Sequence, residues 1–334
     1  MKTTVNLEIL TPVFIGSGEN YYPQEFFIED DKLFFIDKDK FHKKIMQENL
    51  YDEFLEKSSN INKLLRFIDD YADKSVALQE VNIDSEVADE LFKSVSRPVE
   101  AFIKDKFYFT PYIPGSTLKG LIRTAILDYK IDKFKNRINN IERLRYKELE
   151  TVIFCNENKN KNGYLQFDAK KDILKALFVD DLKPKDYKLR VLKPLNRPYK
   201  KDKDNKIPVI LECLTEGNFG GEIRVDEYLL KNDSSLRNNK YFKDEPLSID
   251  LIKKALRHYF KKIQQIESNR FRVNVPNYNE YLIKIGKHAG AGSKSLNNIR
   301  KIYIKQLKKE FDYQLSVWID KYETPLGWAK LNFN

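Results

Sequence analysis

The 334-residue chain holds only two cysteines, two tryptophans, two methionines and three histidines. Cys155 and Cys213 stand far apart and outside any CxxC spacing, which argues against a disulfide scaffold and against a cysteine zinc site. His42, His258 and His288 form no HxxxH, HxH or HD pair, so metal-ligand spacing is absent too. No apolar run approaches the roughly 20 residues that cross a bilayer. The first residues, MKTTVNLEIL, lack the pattern of a signal peptide. The expectation is a cytoplasmic protein without membrane contact, metal or cofactor.

What the chain does contain is core-forming material and charge. Hydrophobic residues make up 41%, with 22 Phe and 19 Tyr, which excludes disorder as the main state despite 33% charged residues. The length suits about two domains at roughly 100–200 residues each. Sixty Lys+Arg against 50 Asp+Glu give a net charge of +10 and a pI near 9.1, which favours an anionic partner. Most of that charge is lysine, accompanied by much Asn, Ile, Tyr and Phe, a mixture that A/T-rich coding bias yields without selection for binding. Total charge leaves both readings open; position has to decide.

Periodicity sketches the elements. Thr3–Leu10 alternates, with Val5, Leu7 and Ile9 on one face, and reads as a half-buried strand. Thr11-Pro12 ends it, and Gly16-Ser17-Gly18 reads as a flexible turn. Glu25–Glu29 and Lys32–Ile36, joined by Asp30-Asp31, predict a hairpin. Helical periods follow from Asp37 to Lys57 and over Asn60–Tyr71, with an inserted helical element expected across 74–97. A strand is expected at Phe107–Phe109, then a helix from Ser116 or Thr117 to about Lys135 with Ser116 as N-cap. Residues 136–206 read as a polar insertion or linker that ends in a basic surface loop (Lys193, Arg197, Lys200, Lys201, Lys203, Lys206). Val209–Leu214 and Glu222–Val225 suggest a hairpin turning at Glu216–Gly221. Ser248 caps a long helix to about Ser268, Tyr278–Ile285 reads as a short helix, and Ala329–Asn332 as a last strand. Strands and helices mix without regular βαβ alternation, so the expected class is α+β built from ferredoxin-like units. The expected domains are 1–135, the insertion 136–206, and 207–334.

Three segments can carry chemistry. In Pro114-Gly115-Ser116-Thr117-Leu118-Lys119-Gly120-Leu121-Ile122-Arg123, a glycine before a helix start frees backbone N–H groups for an anion, where the helix dipole also favours one. Lys119 and Arg123, one turn apart on an expected exposed face, can reach one phosphate run. The spacing is not that of a P-loop. In Gly286-Lys287-His288-Ala289-Gly290-Ala291-Gly292-Ser293-Lys294, three glycines flanked by Lys287 and Lys294 suit a loop lying on a phosphate chain, with Gly290 and Gly292 expected to touch it. The third segment is Thr11–Gly18, whose Gly16, Ser17 and Gly18 sit at a strand exit. A solvated N-cap, a slack surface loop and a plain turn are the respective bland readings. His288 is the one residue with the chemistry of a general acid or base for RNA cleavage. Asp180-Asp181 is a carboxylate pair without defined geometry.

Taken together, TPVFIGSGENYYPQEFFI, YIPGSTLKGLIRTAIL, and GKHAGAGSK followed by PLGWAKL resemble the RAMP superfamily of CRISPR-associated proteins. Within it they are most similar to the fifth Csm subunit of type III-A effector complexes. Phe14 stands where that family often carries histidine. The resemblance implies ferredoxin-like (RRM-related) folds with a glycine-rich loop. It implies a non-catalytic subunit bound to the 3′ part of a crRNA, beside a neighbouring RAMP backbone subunit, needed for crRNA maturation by cellular nucleases and meeting target RNA only indirectly. Two alternatives stand beside it: a metal-independent processing endoribonuclease using His288, and a protein-only scaffold.

Overall fold

The computed structural model describes residues 1–138, 140–199, 205–206, 209–278, 281–296, 302–304, 308–311 and 313–334. The alternating start forms β1 (Lys2–Ile9), which buries Val5, Leu7 and Ile9. After β2 (Gly16–Tyr21), the expected hairpin is present as β3 (Phe26–Glu29) and β4 (Lys32–Ile36). Asp30 and Asp31 both hold positive φ (50° and 57°), as a two-residue type I′ connection requires. The helical stretch from Asp37 divides into α1 (Lys38–Gln47) and α2 (Tyr51–Ser58), with Asn49 left-handed between them (φ 58°). Asn60 then caps α3 (Ile61–Tyr71), accepting from the amides of Asn62 and Lys63.

Several elements differ from expectation, each for a local reason. The 74–97 stretch contains a strand, β5 (Ala77–Ile83), before α4 (Ser85–Phe92); the strand buries only Val81 and Ile83, too few for its period to stand out. The strand β6 (Val99–Phe102) precedes the predicted one, and Phe107–Phe109 is instead a tight turn with Phe109 at φ 52°. Beyond α5 (Gly115–Phe134) and α6 (Tyr146–Phe154) come β7 (Leu177–Val179), β8 (Lys183–Leu192), β9 (Leu195–Pro198) and β10 (Asn205–Lys206). The polar stretch 136–206 therefore supplies strands. It reads as a linker because the first half of β8 faces solvent and burial begins only at Leu189. Lys200, Lys201 and Lys203 of the expected basic loop lie outside the described residues.

The expected hairpin at 209–225 is one continuous strand, β11 (Ile210–Val225). Its glycines mark close approach rather than a turn. A Cβ on Gly217 (φ 144°) would lie 2.7 Å from the Asp186 carbonyl oxygen, and the pairing with β8 shifts register on either side of it, between Leu214 and Glu216 and between Asn218 and Phe219. The remaining elements are α7 (Glu227–Asn232), α8 (Ser234–Arg237), α9 (Ile249–Phe271), β12 (Leu282–Lys284), β13 (Ile302–Ile304), β14 (Lys309–Phe311), β15 (Ser316–Ile319) and β16 (Trp328–Phe333). Ser248 caps α9 as expected, accepting from the Leu251 amide at 3.2 Å. The short helix expected at Tyr278–Ile285 is the strand β12, whose three residues are all buried.

The main sheet runs β12-β16-β1-β11-β8-β5-β4-β3, with β6 and β7 also paired to β11 and β2 paired to β6. Its strands come from all three expected domain segments. Antiparallel β1 and β8 flank β11, the spine of the sheet. Helices α5 and α9 pack on each other and share one apolar core with the sheet, where Leu118, Ile122, Leu256 and Phe260 meet Leu7, Phe219 and Ile223. The architecture is α+β of ferredoxin-like type. Among the described residues, no helix is long and apolar enough to cross a membrane.

Candidate nucleic-acid interface

The exit from β1 is stapled on three sides. The Val13 amide donates to the Leu214 carbonyl (2.8 Å), the Phe14 carbonyl accepts from the Lys287 amide (2.8 Å), and the Ile15 carbonyl accepts from the Ile103 amide (2.8 Å). The start of the chain is thereby fixed against β11, β6 and the glycine loop at once. Together with one stripe of α5 these walls enclose an open cleft of about 710 Å³. Gly16 and Gly18, Thr117, and Lys287 with Lys294 line it, so all three sequence-nominated segments reach one site. Gly16-Ser17-Gly18 is not a flexible turn there. It begins β2, paired with β6 from Gly16 opposite Phe102, and a bulge before Asn20 absorbs the extra residues with Gly18 at φ 89°.

The helix segment contributes differently from expectation. The helix α5 starts at Gly115 with Pro114 as its N-cap, and Ser116 is an exposed helical residue rather than the cap. Gly115 permits close packing: a Cβ would lie 2.2 Å from the Val179 carbonyl oxygen. Its amide, expected to face an anion, donates to the Asp181 carboxylate at 2.7 Å. Lys119 donates to the Leu177 carbonyl (2.6 Å), and burial pushes its ammonium pKa down. Arg123 is not on an exposed face. Its guanidinium donates to Glu150 (2.5 Å) and Asp172 (2.6 Å) and stacks 4.4 Å from the Phe154 ring centre. The reason is that α6 and the Asp172 turn, both from the stretch read as a linker, cover that side of α5. The stripe that faces the cleft is Thr117, Gly120, Leu121 and Thr124, at helical spacing.

The glycine loop is close-packed, but against its own protein. A Cβ on Gly286 (φ 104°) would lie 2.5 Å from the Phe14 carbonyl oxygen. On Gly290 (φ 89°) it would lie 2.2 Å from Gln314 Oε1, and on Gly292 2.3 Å from the Tyr313 ring. The space that a side chain on Gly290 or Gly292 would take is thus filled by Gln314 and Tyr313, which by itself calls for glycine at both positions. Gln314 Oε1 accepts from the Gly292 amide (3.0 Å), and the Tyr259 hydroxyl donates to the carbonyls of Gly292 (3.1 Å) and Ser295 (2.7 Å). Behind them Glu267, fully buried, pairs with Lys284 and accepts from the Trp328 indole N–H at 3.1 Å. The PLGWAKL motif therefore shores up the loop from beneath. Lys287 and Lys294 remain on the cleft side, Lys287 paired with Glu100 across the mouth.

His288 turns away from the cleft, its ring 5.9 Å from that of Phe14 and 4.5 Å from that of Trp318, with Nε2 buried and without a hydrogen-bond partner. Burial, with Lys287 next, lowers its pKa from 6.5 to about 4, so the ring is neutral at pH 7. In the unfolded chain the ring protonates first as pH falls, so His288 withdraws stability between pH 6.5 and about 4. The slope is up to about 1.4 kcal/mol per pH unit. Thermal melts of wild type and His288→Phe across that window should diverge, the wild type losing more. Parallel curves would refute the burial argument.

Some cleft residues were not singled out in the sequence. Glu100 lines it from outside every quoted motif, and Glu19 and Asn20, inside the first quoted segment, line it beside the glycines; strands β2 and β6 bring them there. A separate cluster, Asp128, Asp132 and His258, places ligand atoms within 4.8 Å of one another. Lys262 Nζ already lies 3.3 Å and 2.5 Å from the two carboxylates, supplying the positive charge that a cation would bring.

A family model described as the RAMP superfamily matches residues 6–319. The chain is 27% identical over 268 residues to the CRISPR system Cms protein Csm5 of Methanocaldococcus jannaschii, covering 79% of this chain and 62% of that protein. It is 28% identical over 313 residues to the protein of the same name from Streptococcus thermophilus, covering 88% and 80%. Among solved structures it resembles a chain of a type III-A Csm–crRNA–target RNA ternary complex, with a TM-score of 0.77 at 20% identity over 99% of this chain and 100% of that one. It also resembles T. onnurineus Csm5, with a TM-score of 0.65 at 18% identity over 97% and 99%. The match along nearly the whole chain, and the three motif segments gathered round one cleft, make this protein a member of the RAMP superfamily.

Proposed function

We propose that this chain is a non-catalytic crRNA-binding subunit of a type III-A Csm complex, holding the 3′ part of the guide and supporting its maturation and the assembly of the complex. The observation that carries the reading is the convergence of three distant segments on the cleft, with Lys287 and Lys294 on one wall. The names of the relatives and the ternary complex containing the similar chain support the class. In this reading the partners are crRNA and a neighbouring RAMP backbone subunit, cellular nucleases trim the guide end, and target RNA is met through the guide. Lysine ammonium groups bind phosphate as point charges, and the hydroxyl of Thr117, on the α5 side of the cleft, adds a neutral donor. Glu100 holds the Lys287 ammonium, which has further N–H donors for a phosphate oxygen.

The test is Lys287→Glu with Lys294→Glu, assayed for binding of single-stranded RNA and for guide retention in the assembled complex. Neither side chain lies in the apolar core, so the melt should be preserved. Affinity should fall at least tenfold, and the log–log salt slope should shrink by about 0.7 for each phosphate no longer neutralised. An unchanged affinity and slope would refute the reading. Against the endoribonuclease alternative, His288→Ala should leave any RNA processing by the purified chain unchanged.

A further inference from the structure

We propose that the turn bearing Phe107 and Tyr108 is a stacking platform for unpaired bases, a second RNA contact outside the cleft. The two side chains are 86% and 84% exposed, more than any other large hydrophobic residue described. The backbone that carries them is nevertheless held in place. Asp105 accepts from the amides of Phe107 and Tyr108 (both 2.9 Å), its own amide donates to the Thr110 carbonyl (2.9 Å), and the Phe109 amide donates back to the Asp105 carbonyl (2.9 Å). At the base of the turn Lys104 is buried on Glu212, and its ammonium also donates to Gln79 at 2.8 Å. A turn whose backbone is already fixed loses little main-chain freedom when its aromatic rings stack.

Its surroundings favour a nucleic acid over a protein pocket. Lys106 lies within the turn, and Lys183, close enough to act on the Asp105 carboxylate, follows on β8 with Lys185 two residues on. All three are exposed, and among the described residues Lys106 and Lys185 have no ion-pair partner. Aromatic faces beside exposed cations suit bases on a charged backbone, whereas a protein pocket would have to bury those charges. The turn also adjoins the cleft: it follows β6, whose Glu100 and Ala101 line the cleft, and Ile103 is hydrogen-bonded to Ile15 beside Gly16. The proposal rests on the guide-binding reading for its ligand.

The test adds a reporter to the full chain, Tyr108→Trp, with the wild type as background for the two native tryptophans. Saturating single-stranded RNA should quench the added emission. Phe107→Ala with Tyr108→Ala should weaken RNA binding roughly tenfold, with an unchanged melt and an unchanged salt slope, because stacking neutralises no phosphate. RNA that binds saturably with the reporter and the double variant both indifferent would overturn the platform while leaving the functional reading intact. A reporter that responds only to a partner subunit in an RNA-free assembly would overturn it in favour of a protein contact. RNA that fails to bind the wild type would overturn both.

Discussion

Glu267→Ala is expected to destabilise the protein by about 3–5 kcal/mol, because it strands a buried charge. Both Glu267 and Lys284 are fully buried, and burial already pushes the Lys284 ammonium pKa down. Removing the carboxylate also leaves the Trp328 indole N–H without its acceptor, a further penalty of about 1–3 kcal/mol. Set against a total stability of about 5–15 kcal/mol, such a loss decides whether the chain stays folded at working temperature. The double variant Glu267→Met with Lys284→Met should recover the part due to the stranded charge, since an apolar pair of similar volume has no charge to desolvate, and keep the indole penalty. Urea midpoints of the single and double variants make the comparison. A Glu267→Ala chain within about 1 kcal/mol of wild type would show that water reaches the pair. The effect should extend to the cleft, because Gln314, which lies on Glu267, also holds the Gly292 amide.

Arg123→Ala is expected to lower stability by about 3 kcal/mol while leaving the RNA affinity of the folded protein near wild type. Its guanidinium is mostly buried between Glu150 and Asp172, and truncation leaves two carboxylates facing each other beside the Phe154 ring. Lys119→Ala, which removes one bond to a carbonyl from a half-buried side chain, should have an effect nearer 1 kcal/mol. Thermal melts separate the two, and RNA titration below the melting range separates both from Lys287→Glu with Lys294→Glu. If Arg123→Ala melted like wild type and no longer bound RNA, the guanidinium would be a phosphate ligand after all, and the ion pairs would be incidental.

Much of the fold is legible in the chain alone where one period is strong and locally complete. Val5, Leu7 and Ile9 announce β1, Asp30-Asp31 the β3–β4 hairpin, Asn60 and Ser248 the starts of two helices. The strands that escape notice are those with little apolar contrast. In β8, exposed Lys183–Lys188 hides a central strand, and the glycines of β11 imitate a turn because close approach and a change of direction both call for a missing Cβ.

The sequence by itself determined the α+β class, the family resemblance, and the three segments that meet at the cleft. The tertiary structure decided what each nominated residue touches. Gly115, Gly290 and Gly292 each signal that something comes within van der Waals reach of the backbone, but only the fold shows that Val179, Gln314 and Tyr313 are what comes. Helical spacing put Lys119 and Arg123 on one stripe and Thr117, Gly120 and Thr124 on another, and spacing carries no sign for which stripe is covered. That choice belongs to α6 and Asp172, distant in sequence, which neutralise Arg123 in the interior and leave Lys287 and Lys294 as the cations at the open cleft.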